Sequence, residues 1–186
     1  PVPSIYSVQN GNWNDPATWN LNRIPTHNDS VNVSHRVTYD APVGVNITCL
    51  NIHGVVNFSR TQNTQLKAGY ILVFPEGTLE VGSEGNPIPD GISAEIIIRD
   101  VPIDSIEDPA QFGTALIGLG KVSMHGSLMN PTFVRVSQTP VAGATTFSLT
   151  QAVTGWKVGG KIFIPDTHFY PDPGNGANRY TYLQLE

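Results

Sequence analysis

Cysteine occurs once, at Cys49, so no disulfide can form within the chain and stability has to come from packing. Charge is scarce too. Asp, Glu, Lys and Arg make up 13 % of the residues, about half the usual share of a soluble domain. The formal net charge is −5 and no Lys/Arg run occurs, which argues against nucleic acid as a partner, because counterion release needs clustered cations. No apolar run approaches the roughly 18 residues of a membrane span. Nothing reads as a signal peptide, and the opening Pro1-Val2-Pro3 looks like a mature or trimmed end. The GxSxG, HExxH, P-loop and paired CxxC signatures are missing, so no common enzyme class announces itself. Long helices are excluded by 18 Gly and 15 Pro spread along 186 residues, since each is costly inside a helix.

What is present is short-range alternation. Apolar and polar residues alternate in bursts at 30–33, 36–39, 45–52, 55–58, 65–67, 71–74, 78–81 and 94–98. Further bursts follow at 115–117, 121–124, 133–136, 146–149, 161–164 and 180–185. Each is closed by Gly, Pro or Asn, the residues that supply turn geometry, so the chain is expected to be all-β. Cys49 sits inside the 45–52 burst and is expected to be a buried thiol rather than a reactive one, because no His or cationic neighbour marks it. The single helical signal is one turn at Asp15-Pro16-Ala17-Thr18-Trp19, with Asp15 as N-cap and Pro16 at the first helical position. Sequons stand at Asn28, Asn32, Asn46 and Asn57.

The bursts recur as a unit. Leu50-Asn51-Ile52-His53-Gly54-Val55-Val56 matches Ile71-Leu72-Val73-Phe74-Pro75-Glu76-Gly77-Thr78-Leu79, and then Val122-Ser123-Met124-His125-Gly126-Ser127-Leu128. Each is a strand, a glycine corner and a second strand, and the first two glycines lie roughly 23 residues apart. A period of that size predicts coils that stack strand on strand, because one coil cannot bury its inward face alone. The expected fold is a right-handed parallel β-helix, with an antiparallel sandwich as the rival. Residues 1–29 read as an N-terminal capping segment, 30–130 as the main coils and 131–186 as further coils, possibly truncated, within one structural domain.

These motifs, taken in order, resemble the G8 domain. The resemblance runs through Gly11-Asn12-Trp13-Asn14-Asp15-Pro16-Ala17-Thr18-Trp19, Ile24-Pro25, Asp29-Ser30-Val31-Asn32-Val33 and Leu50-Asn51-Ile52-His53-Gly54. It continues through Ile71-Leu72-Val73, Glu76-Gly77-Thr78-Leu79-Glu80-Val81-Gly82 and Gly118-Leu119-Gly120-Lys121-Val122-Ser123-Met124-His125-Gly126. Trp156-Lys157-Val158-Gly159 and Ile162-Phe163-Ile164 are similar to the first coils of a β-helix that often follows such a domain. The resemblance implies a parallel β-helix, a secreted or cell-surface setting and an association with polysaccharide, some relatives binding or depolymerising hyaluronan.

Candidate sites follow from residue chemistry. Trp13 and Trp19 can either offer indole faces to a pyranose ring or plug the open end of the stack, and the plug is the simpler reading. His53, Glu76 and His125 stand beside corner glycines, where a ladder of imidazole and carboxylate would suit acid–base or metal chemistry, or simply face solvent. Asp100, Asp104, Glu107 and Asp108 lie in the longest interruption of the strand pattern, a set of oxygen ligands that would suit Ca²⁺ or a solvated loop. Phe169, Tyr170, Asn178 and Arg179 fall in a Gly/Pro-rich tail, where flat rings and amides suit a neutral glycan. No cofactor is evident beyond that possible Ca²⁺, and no acid–base pair assembles into a reaction. The functional expectation is an extracellular carbohydrate-binding module or the front part of a polysaccharide-acting enzyme. The alternative is a non-catalytic cap or scaffold, or a self-associating surface protein, with self-association or a following domain at the C-terminal coil.

Overall fold

Alternation turns into strands wherever one face can be buried, and the computed structural model describes residues 2–100, 102, 105–106, 111, 113–164 and the backbone of 181–184. The chain forms two compact units, Pro1–Ser127 and Leu128–Glu186. In the first, eleven strands follow in order: β1 (Ile5–Tyr6), β2 (Gly11–Asn12), β3 (Ser30–Val33), β4 (Arg36–Tyr39), β5 (Asn46–Ile52), β6 (Val55–Phe58), β7 (Thr64–Val73), β8 (Thr78–Val81), β9 (Ala94–Ile98), β10 (Leu116–Gly118) and β11 (Lys121–Met124). The one helical element among the described residues is the 3-10 turn Pro16–Thr18, capped as its sequence predicts, with Asp15 Oδ1 accepting from the Ala17 N–H at 2.9 Å.

From β1 to β8 the chain alternates between two sheets. The first sheet has the order β1-β3-β5-β7-β10, with β9 also on β7, and the second has the order β2-β4-β6-β8-β11. Every pair of these strands is parallel, which removes the antiparallel sandwich for this unit. Residues in register repeat the same chemistry from rung to rung. Ile5, Val31, Leu50 and Ile71 form one inward column, Val37, Val56 and Leu79 another, and all are fully buried. Each such side chain contributes about 1.5–3 kcal/mol by leaving water. Tyr39 belongs to the same core and sends its hydroxyl out to the Gln65 carbonyl at 2.7 Å; burial pushes its pKa up.

The corners between the sheets demand glycine. A Cβ at Gly77 would run into the carbonyl of Ile52 on the rung below, and one at Gly120 would run into the carbonyl of Phe74. Close stacking of corner on corner is therefore what the glycine period encodes. The ten-residue β7 serves two strands. Its 64–68 half pairs with β9 and its 71–73 end pairs with β10. The chain leaves that edge where Arg99 N–H donates to Ala68 O (2.8 Å) and returns where Ala115 O accepts from Ile71 N–H (2.9 Å).

Residues 1–29 are more than a cap. β1 pairs with β3 and β2 with β4, so this segment supplies the first rung of both sheets. Strands of two residues show no alternation, which is why the sequence conceals them. In the second unit the described pairing is antiparallel, between β12 (Lys161–Ile164) and β13 (Thr181–Gln184) and at the bridges Asn130↔Thr154 and Val136↔Leu149. The further parallel coils expected over 131–186 do not occur among the described residues.

Candidate functional site

Trp13 and Trp19 meet edge to face, with ring centroids 5.0 Å apart, and the Trp19 indole N–H donates to the Trp13 carbonyl at 2.8 Å. The aromatic column continues from Trp13 to Tyr39 (4.9 Å) and on to Phe58 (5.0 Å). Each indole is only 2 % exposed. The sugar-platform reading of Trp13 and Trp19 is corrected here, because both rings are used up in closing the first rung and present no face to a ligand.

Beside this plug lies a polar cluster that sequence reasoning missed. Asp29, almost wholly buried, accepts from both Arg23 guanidinium nitrogens (2.6 and 3.0 Å), from Thr26 N–H (2.7 Å) and hydroxyl (3.1 Å), and from the Ser4 hydroxyl (2.8 Å). The Arg23 hydrogen bonds hold its carboxyl far below the usual carboxylate range, with Thr26 and Ser4 adding to the effect against the cost of burial. The Thr26–Asp29 spacing, a hydroxyl residue three positions before an acid, was the signal available. The cluster ties the amino-terminal strand to the loop that precedes β3, and its donors leave no lone pair for chemistry. Ser7 is a second such tie: its hydroxyl accepts from Ser34 and His35 N–H and lies 2.9 Å from His35 Nδ1.

The corner ladder assembles in part. His53 Nδ1 lies 2.7 Å from Glu76 Oε1, and the imidazole stacks on Phe74 with centroids 3.8 Å apart. The hydrogen bond from His53 draws the Glu76 carboxyl below its ordinary range. His125 is not a third member. Lys121–Met124 pairs with Thr78–Val81, so His125 falls beside Gly82 at the far end of the strand, and the true counterpart of Gly54 and Gly77 is Gly120. The His125-Gly126 dipeptide thus follows the second strand of its repeat, whereas His53-Gly54 forms the corner before it.

Among the described residues no group of three His, Cys, Asp or Glu side chains is placed to hold a metal ion. Asp100 is exposed directly after the strand edge at Arg99, whereas Asp104, Glu107 and Asp108 lie outside the described residues. Phe169, Tyr170, Asn178 and Arg179 also lie outside them. Cys49 is buried against Tyr70 and Leu72 in a small cluster that Phe74 and Ile117 flank, as an inert thiol should be.

The outer face of the second sheet carries a row that the alternation implies but no single motif reveals. Asn12, Thr38, Asn57, Glu80 and Ser123 stand in register on five successive strands. Neighbouring strands are spaced about 4.8 Å apart, so the row is a straight line of amide, hydroxyl and carboxylate groups. Asn57 Nδ2 donates to Thr38 Oγ1 at 3.1 Å, which fixes the middle of the line.

With this geometry in place, the family can be stated. The G8 domain family matches residues 18–137, well over half of the chain, and the chain belongs to it. It is 31 % identical over 107 residues to fibrocystin-L of Mus musculus, covering 56 % of this chain and 2 % of that protein. Fibrocystin of Mus musculus is 28 % identical over 159 residues, covering 82 % of this chain and 4 % of that protein. A Dictyostelium discoideum protein is 21 % identical over 170 residues, covering 84 % and 15 % respectively. The chain thus spans a small part of the length of the curated relatives it matches. No solved structure gives a significant match.

Proposed function

We propose that this G8 domain is an extracellular carbohydrate-associated module, its first unit a right-handed parallel β-helix whose outer face meets polysaccharide. The observation that carries the reading is the Asn12-Thr38-Asn57-Glu80-Ser123 row. It offers donors and acceptors at the regular spacing of a flat sheet face, the kind of surface along which an extended, hydroxyl-rich chain makes repeated hydrogen bonds. Phe169, Tyr170, Asn178 and Arg179 add rings and amides of the right chemistry in the tail. A Ca²⁺ bridge from Asp100, Asp104, Glu107 and Asp108 to a uronate belongs to the same proposal. The extracellular setting is supported by family membership. No helix among the described residues is long and apolar enough to cross a membrane.

Titration calorimetry with neutral and uronate-containing oligosaccharides, with and without Ca²⁺, tests this reading, and the ligands are checked afterwards for cleavage. Saturable binding that falls in Asn57→Ala and Glu80→Ala variants of unchanged melting temperature supports the row; binding that falls only in Tyr170→Ala moves the site to the tail. Cleavage makes the chain an enzyme. Silence in every combination leaves the second reading, a non-catalytic cap and scaffold, which the burial of both tryptophans favours.

A further inference from the structure

We infer that Glu80 sets the specificity of the outer row, and that the glycan held there is neutral and carries vicinal hydroxyls. The inference rests on the row as a glycan surface and deepens that reading. Alternation along β8 turns Leu79 and Val81 inward, where both are buried, and leaves Glu80 between them on the outer face. Glu80 is itself only partly exposed. A carboxylate held back from water normally takes a cation or several donors, because its two oxygens offer about four acceptor sites and losing hydration without replacement is costly.

Both neighbours of Glu80 in register carry donors, and both use them elsewhere. Asn57 Nδ2 turns to Thr38 Oγ1 at 3.1 Å, on the side away from Glu80. The Ser123 hydroxyl donates to the Gly82 carbonyl at 3.1 Å. Lys121 stands beside Thr78, diagonal to Glu80, and forms no ion pair with it. Among the described residues the Glu80 carboxylate therefore has no partner. The other carboxylates held back from solvent there behave differently: Asp29 accepts from Arg23, and Asp40 Oδ1 accepts from the Asn14 N–H at 2.9 Å.

The ligand has to bring the donors that the neighbours withhold. Two vicinal sugar hydroxyls can donate a pair of O–H···O bonds to one carboxylate, and bonds to an ionised acceptor are about twice as strong as neutral ones. A uronate carboxylate in the same place has no proton to donate and meets a like charge. Thr38 and Asn57 already satisfy each other, so they form a prearranged support on the two rungs below Glu80. The row thus discriminates twice, by what Glu80 attracts and by what it repels.

The test uses the full chain, without Ca²⁺, in calorimetry against matched probes: β-1,4-glucan, β-1,4-mannan and α-1,4-galactan hexamers, each neutral and with its C6 carbons oxidised to carboxylates. At least one neutral hexamer should bind about tenfold or more tightly than its oxidised counterpart. Glu80→Gln keeps the size of an outward side chain and should melt as the native chain does. It should weaken the neutral hexamer about tenfold and remove the preference. The Glu80 carboxyl carbon should shift in NMR spectra when that neutral hexamer is added. Binding that falls in Asn57→Ala while the preference survives Glu80→Gln overturns this inference and leaves the row as the glycan surface. So does a native chain that binds both forms equally or favours the oxidised one. Binding that neither variant weakens, or no binding to any probe, overturns the row and this inference together.

Discussion

Replacing Trp19 by Ala removes one of the two largest side chains of the core cluster from a site that is 2 % exposed. Truncations of this kind cost about 3–5 kcal/mol, combining lost transfer energy with the cavity left behind. Two features place Trp19 toward the top of that range. Its indole lies edge to face with Trp13 at 5.0 Å, an arrangement that adds about 0.5–1.5 kcal/mol beyond burial. Its N–H is also the donor to the Trp13 carbonyl at 2.8 Å, which would lose its partner. A domain holds only about 5–15 kcal/mol in total, so the variant should lose a third or more of its stability. Urea unfolding followed by fluorescence should therefore show a midpoint far below that of the native chain. Trp19→Phe keeps most of the ring but not the donor, and should cost about 1–3 kcal/mol. If instead Trp19→Ala lost less than about 1 kcal/mol, the end-plug argument would fail, since a fully packed Trp cannot be that cheap to delete.

Three further outcomes are expected. Asp29 has a folded-state pKa depressed mainly by Arg23, so its contribution is complete above the ordinary carboxylate range and lost as pH falls below about 4. Urea midpoints between pH 7 and pH 3 should drop less steeply for Asp29→Asn than for the native chain, from a lower starting value. Gly77→Ala should destabilise by about 1–3 kcal/mol because its Cβ meets the Ile52 carbonyl, whereas Gly85→Ala, which meets open space, should change calorimetric melting by no more than about 0.5 kcal/mol. Glu76, solvent-exposed beside His53, should titrate below its usual range by carbon-13 NMR and return to it in His53→Ala, with the melting temperature unchanged. An unshifted Glu76 would mean that the pair does not form in solution.

Most of the first unit was legible in sequence because its signal is local. Bursts at 30–33, 36–39, 55–58, 78–81, 94–98 and 121–124 coincide with strands, since alternation and glycine corners act within a few residues. The two-residue β1 and β2 were not legible, for they are held by long-range pairing with β3 and β4 and carry no pattern of their own. The bursts at 65–67 and 71–74 turned out to be one strand, because Gly69, which reads as a break, sits buried within β7 between the segments paired with β9 and β10. The candidate site was harder to see. Which histidines share a corner depends on register, and register is set by stacking across some twenty residues; hence His53 found Glu76 while His125 landed a strand away. The outer row of Asn12, Thr38, Asn57, Glu80 and Ser123 exists only once the rungs are superposed.

The first rung of the stack is closed by several devices together. At the start, aromatic bulk, a buried carboxylate with five donor contacts and a capped 3-10 turn are all spent on closing one rung. Among the described residues no comparable closure stands at β11, where Val122 and Met124 are exposed. A parallel stack needs shielding at both ends, because an exposed strand edge invites pairing with any available chain.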